Sequence, residues 1–260
     1  MLTDELLLYV FDGQSHLLAQ PMAAWMASSR RFTAFVATFR DKIRKKLRAT
    51  QDQESLLDLR LELETAYLLL QERSLSPVYE PQQSGQSRRP DFAVTFTTSL
   101  TFMLEVTRLQ AGLQSTLAEA QEQTREAPAP NTLQPIPLIG EHLADTICSK
   151  LGQLLPQRSN VLLVGMEALQ LTESDLRAVM RSLQQRAERT DSAFLQRHRF
   201  RDRADFFRHY QWLSEILVRG PHLPAAAPLV VWANPQAKHS LPGKVQAVLY
   251  RSQAVPLVNW

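Results

Sequence analysis

The segment "RRPDFAVTFTTSLTFMLEVTRL", Arg88 to Leu109, constrains the fold of this chain more than any other. Phe92, Val94 and Phe96 alternate with Ala93 and Thr95, and Phe102, Leu104 and Val106 alternate with Thr101, Met103, Glu105 and Thr107. Alternation at period two marks strands with one face turned to a core. A three-residue loop at Thr97 to Ser99 makes the pair a hairpin and sets Asp91 directly across from Glu105. A register moved by one residue on each strand leaves the two acids diagonal neighbours. Acidic residues are poor strand formers and are rarely buried without a partner. Both carboxylates therefore emerge, close together, on the less apolar face. Either they face water or they share a partner.

Around this hairpin the sequence predicts an α/β fold: a mixed central sheet flanked by helices, with helical N-terminal and C-terminal extensions. Residues 1–50 read as helical, with Trp25, Phe32, Phe35, Val36 and Phe39 at helical spacing. "QESLLDLRLELETAYLLLQER" is a run of good helix formers, ending near "SLSP" where Pro77 stops it. "VYEP" is a short edge strand, and "QQSGQSRR" a polar loop. A polar insertion spans 110–138, read as a solvent-facing helix and a linker. An amphipathic helix "GEHLADTICSKLGQLLP" follows, then "NVLLVGM", a continuous apolar strand of the kind buried on both faces. Thr172 or Ser174 caps the next helix. Residues 204–218 are expected to be helical, with Phe206, Phe207, Tyr210, Leu213 and Leu217 on the apolar side, and "PLVVWANP" to be a last strand extending the sheet. The organisation is a basic N-terminal extension at 1–53, a core at 54–166 and a helical C-terminal part at 167–260.

Hydrophobic residues make up 44% of the 260 and charged residues 21%, ordinary values for a globular chain able to bury a sizeable core. The single cysteine, Cys148, excludes an intrachain disulfide and a cysteine-based zinc site. No apolar run approaches the roughly 20 residues that span a bilayer. The expected setting is the cytoplasm, without membrane attachment. Walker, G-x-G-x-x-G and G-x-S-x-G motifs do not occur, so kinase, dinucleotide and hydrolase-elbow readings have no support.

Helix, three strands, helix and strand, with Pro90-Asp91 opening the second strand and Glu105-Val106-Thr107 in the third, resembles the PD-(D/E)xK nuclease superfamily, whose core is the restriction-endonuclease-like fold. The resemblance covers roughly residues 54–166. It implies a metal-dependent nuclease acting on phosphodiester bonds, with DNA the expected substrate and Mg²⁺ or Mn²⁺ the cofactor. Asp91 and Glu105 would be ligands of the ion, which takes oxygen donors, commonly one or two carboxylates plus water and phosphate. A third acid comes from the first core helix in this family: Glu64 is the choice here, with Glu62 the alternative. Thr107 departs from the pattern, standing where the family carries a lysine. Lys150 on the following helix could supply that charge from another element, and Gln153 resembles the family's helix glutamine. The missing lysine leaves open a binding or interaction module on the same fold that no longer cleaves.

The net charge is only +3, but basic residues cluster. Arg44, Lys45, Lys46 and Arg48 lie in "FRDKIRKKLR", and Arg197, Arg199, Arg201 and Arg203 in "RHRFRDRADFFRHY". Basic patches interleaved with aromatics suit the phosphates of a nucleic acid. The same residues also fit solvated helix faces, because Asp41, Asp202 and Asp205 stand at pairing distance along the chain. A helical regulatory protein binding a protein partner through these clusters is a further alternative.

Overall fold

The computed structural model describes residues 3–50, 52–82, 89–109, 136–166, 171–220 and 229–254, with the side chains of 136–138 outside the description. Most of the expected loop at 82–89 and nearly all of the polar insertion at 110–138 lie outside the described residues. A six-stranded mixed open sheet, with strands adjacent in chain order, carries the molecule. Its strands are β1 (Leu75–Tyr79), β2 (Phe92–Phe96), β3 (Leu100–Arg108), β4 (Asn160–Gly165), β5 (Leu213–Arg219) and β6 (Leu229–Ala233). Pairs β1–β2, β2–β3 and β5–β6 are antiparallel, while β3, β4 and β5 run parallel.

The hairpin has the register that a three-residue loop demands, with Phe96 opposite Leu100 and Phe92 opposite Leu104. One step further, that register puts Asp91 across from Glu105. Pro77 sits inside the edge strand β1, where its missing N–H disturbs only one ladder. The preceding helix stops earlier than Pro77 suggested, at Gln71.

Nine helices lie among the described residues. Helices α1 (Thr3–Val10), α2 (Ala19–Ser28), α3 (Arg30–Ala49) and α4 (Gln53–Gln71) precede the sheet. Helix α5 (Ile136–Leu151) links β3 to β4, and α6 (Glu173–Glu188), α7 (Ser192–Arg197) and α8 (Arg203–Tyr210) link β4 to β5. Helix α9 (Gly243–Gln253) follows β6. Thr172 forms the cap of α6 as a reciprocal capping box with Asp175.

Two cores sandwich the sheet. Phe92, Val94, Phe102, Leu104, Val106, Val161, Leu163 and Leu217 pack against α1–α4 and α9 on one face. Leu162, Val164, Ile216 and Val218 pack against α5–α8 on the other. Helix α4 is buried nearly all round from Leu61 to Leu70, as befits a helix enclosed between the sheet and an outer helical layer. A Cβ on Gly165 would come within 2.7 Å of Leu61 Cδ2, so a larger residue at the end of β4 would force the Leu61 side chain of α4 to shift.

One expectation is overturned. Residues 204–218 are not a single helix: α8 ends at Tyr210, and Leu213–Arg219 is a strand buried along its whole length. Leu213 and Leu217 fit the helical spacing of Phe206 and Tyr210, but β5 lies between β4 and β6 and has no solvent-facing side to impose alternation. The C-terminal part therefore contributes two strands to the same sheet as the core.

Candidate functional site

Asp91 stands immediately before β2, beside the C-terminal half of β3. In sheets with parallel strands the carboxyl ends are where ligand crevices open. The Val106 backbone N–H donates to Asp91 Oδ2 at 2.8 Å, and the Glu80 N–H donates to the Asp91 carbonyl at 2.8 Å, fixing this residue against both neighbouring strands. Glu105 is buried, and its register partner Leu162 belongs to the core beneath α5. From α5, Lys150 Nζ donates to Glu105 Oε1 at 2.8 Å. The lysine sits in the last turn of its helix, where a cation is favoured by the helix dipole.

Across the sheet end, Glu62 of α4 approaches the same aspartate. Lys46 Nζ from α3 contacts Glu62 Oε1 at 2.8 Å and Oε2 at 2.6 Å, and the Tyr79 hydroxyl donates to Oε2 at 2.6 Å. Lys46 also reaches Glu80 Oε1 at 3.3 Å and lies 5.2 Å from the centre of the Tyr79 ring. Burial, and then the negative charge of Glu105, push the Asp91 carboxyl up to about 7, with Lys46, the Val106 N–H and Lys150 acting the other way. Burial and then Asp91 raise Glu62 to about 7 against the pull of Lys46. Burial alone would lower the Lys46 ammonium, but Glu62 and Asp91 outweigh it and the net shift is upward. Glu62, Asp91 and Glu105 thus form one electrostatically linked row, with Lys46 at one end and Lys150 at the other.

Glu64 does not join this row. Two positions along α4 turn it about 200° from Glu62, and it meets Arg219 Nη2 at 3.0 Å in the interior. Of the two helix acids, Glu62 is the one beside Asp91. Thr107 shares the Glu105 face by alternation and is half-buried, while Arg108 turns to the opposite face and meets Glu54 and Asp58 of α4. Gln153 lies in the turn after α5, where its amide donates to the Ser149 carbonyl at 3.4 Å.

The basic clusters are largely committed within the chain. Arg44 and Arg48 both pair with Asp12, and Lys46 is held by the acids just described. Lys45 is exposed. Arg197 pairs with Asp145, Arg201 with Asp205, and Arg203 lies 5.7 Å from the centre of the Phe207 ring; all three, with Arg199, remain exposed. Sequence reasoning counted Lys46 among the phosphate-binding residues and gave Tyr79 no role. No local pattern signals that α3 passes the end of the hairpin.

The donor set facing Asp91 is all oxygen, the chemistry that suits Mg²⁺ or Mn²⁺. Among the described residues, no group of three or more His, Cys, Asp and Glu side chains is arranged to hold a metal ion. Asp91 and Glu105 are two carboxylates, and a magnesium ion commonly takes one or two from a protein. No helix of the described residues is long and apolar enough to cross a membrane. Comparison with protein-family models, curated proteins and solved structures found no match to this chain.

Proposed function

We propose that this chain is a divergent PD-(D/E)xK-type nuclease, cleaving phosphodiester bonds, with DNA the expected substrate, in the cytoplasm. The observation that carries the reading is the contact of the Lys150 amine, 2.8 Å from Glu105, beside an aspartate that the hairpin register sets opposite that glutamate. It supplies from α5 the charge that Thr107 cannot. The order α4, β1, β2, β3, α5, β4, with β3 and β4 parallel, supports the restriction-endonuclease-like form of the fold.

In this reading Asp91 and Glu105 hold a magnesium or manganese ion, with Glu62 the third acid within reach of Asp91. The ion, when bound, polarises the phosphate and acidifies a water. Lys150 orients the attacking water and counters charge developing on the phosphate, the larger of its two contributions in a site shielded from solvent. The Thr107 hydroxyl holds a water but adds no charge. Exposed Lys45, Arg199 and Arg203 contribute attraction for the polyanion.

The test is cleavage of single- and double-stranded DNA and RNA in Mg²⁺ or Mn²⁺ by the wild type, Asp91→Ala and Glu105→Ala. Cleavage by the wild type alone supports the reading. A second reading, binding without cleavage, is favoured by Thr107 at the lysine position, and predicts nucleic-acid binding with no cleavage in either metal.

A further inference from the structure

Lys46 belongs to α3, outside the helix and strands that build the core of the site, yet its amine spans both oxygens of Glu62, at 2.8 and 2.6 Å, and Glu80 at 3.3 Å. Two of the ammonium's three donors are spent on Glu62, and Glu80 adds a charge contact. The Tyr79 hydroxyl also donates to Glu62 Oε2, at 2.6 Å. Oε2 thus accepts from both Lys46 and Tyr79, while Oε1 accepts only from Lys46, so a cation approaching Glu62 meets the ammonium beside both oxygens. The Lys46 side chain is 32% exposed, against 11% for Glu62, so the ammonium has a route to water that the carboxylate lacks. Its flexible four-carbon stem allows that movement.

Resting on the proposed metal site at Asp91 and Glu105, we infer that Lys46 is an internal counter-ion that competes with the divalent cation for the negative charge gathered at Glu62 and Asp91, so that the cation binds more weakly while this ammonium stays in place. The N-terminal helical layer thereby regulates cation affinity as well as packing on the core. A purely structural ion pair joining α3 to α4 would hold the fold together without altering cation affinity.

The two are separated by thermal melting of the full chain, titrated with Mn²⁺ at constant ionic strength and constant pH, for wild type, Lys46→Gln, Lys46→Met and Lys46→Arg. Lys46→Met keeps the apolar stem beside Tyr79 should the glutamine variant fold poorly. Cation binding to the folded state raises the melting temperature by mass action, and the concentration at half effect reports affinity. Removing a unit positive charge at this distance should lower that concentration on the order of tenfold in Lys46→Gln and Lys46→Met, with Lys46→Arg near wild type. Unchanged or higher half-effect concentrations in the glutamine and methionine variants overturn the inference while leaving the metal site standing. Absence of a Mn²⁺ effect in every variant, wild type included, overturns both. A Mn²⁺ effect that emerges only when Lys46 is replaced supports competition in its strongest form.

Discussion

Lys150 Nζ lies 2.8 Å from Glu105 Oε1, and Thr107, two residues further along β3, shares the glutamate's face. A positive charge is therefore available at the site although the strand position that would ordinarily carry it holds a hydroxyl. Lys150→Met should lower cleavage by about 10²-fold or more, with Mn²⁺-induced stabilisation retained. Thr107→Lys in that background should restore activity, because it returns an amine to the same face. Single-turnover cleavage in the two variants checks this. Full activity in Lys150→Met would place the essential charge elsewhere.

Two carboxyls pushed up to about 7 make stability depend on pH. Asp91 is raised by burial and by Glu105, and Glu62 by burial and by Asp91. In the unfolded chain both revert to the ordinary carboxylate range near 4. Between about pH 4 and 7 the folded protein therefore binds more protons than the unfolded one, and stability falls as pH rises. The protonated pair's contribution is fully present below about 4 and lost above about 7. Urea unfolding from pH 5 to 8, without divalent cations, should show this decline, and Asp91→Asn should flatten it. A wild-type stability that climbs across this range, unaltered by the substitution, would count against the coupled row.

The exposed basic residues make a separate prediction for nucleic-acid binding. Arg44 and Arg48 are tied to Asp12, whereas Lys45, Arg199 and Arg203 present their charge to water. Each phosphate contact adds about 0.9 to the slope of log affinity against log salt on duplex DNA. Lys45→Gln with Arg199→Gln should reduce that slope by up to about 2 if both touch phosphate, at little cost in stability. Arg44→Gln should instead leave the slope unchanged. Fluorescence anisotropy at several salt concentrations distinguishes them, and an unaltered slope in the first variant would make those side chains mere solvated charge.

The hairpin and the row of acids differ in how far local sequence could specify them. Phe92 to Phe96 and Leu100 to Arg108 alternate because one face meets α4, and the short loop between them leaves little freedom of register. Strand β5 carries no such signature, since Leu213 to Arg219 is covered on both faces and includes Glu215 and Arg219, whose partners Tyr250, Gln246 and Glu64 are distant in sequence. The different surroundings of Glu62 and Glu64 are illegible in the sequence for a related reason. An amphipathic helix has an inside, but α4 is buried nearly all round from Leu61 to Leu70, so both glutamates are buried and "inward" does not single out one direction. Only the positions of Lys46 and Arg219, both set by tertiary packing, separate them.

That separation yields a contrast between two acids on one helix. Glu62 is held by Lys46 and Tyr79 beside Asp91, and Glu64 by Arg219, which also donates to Gln253 Oε1 at 3.1 Å. Glu62→Gln should cut cleavage strongly, because it removes a charge from the proposed metal site while keeping the side chain's size. Glu64→Leu leaves the fully buried Arg219 guanidinium without its anion, a change that costs about 3–5 kcal/mol in comparable buried pairs. Adding Arg219→Met to Glu64→Leu should recover most of that loss, since apolar replacement of both partners is often neutral or stabilising. Urea unfolding and cleavage rates measured on the same preparations separate the two roles. If Glu64→Leu/Arg219→Met is stable but inactive while Glu62→Gln cleaves normally, the assignment of the third acid is reversed.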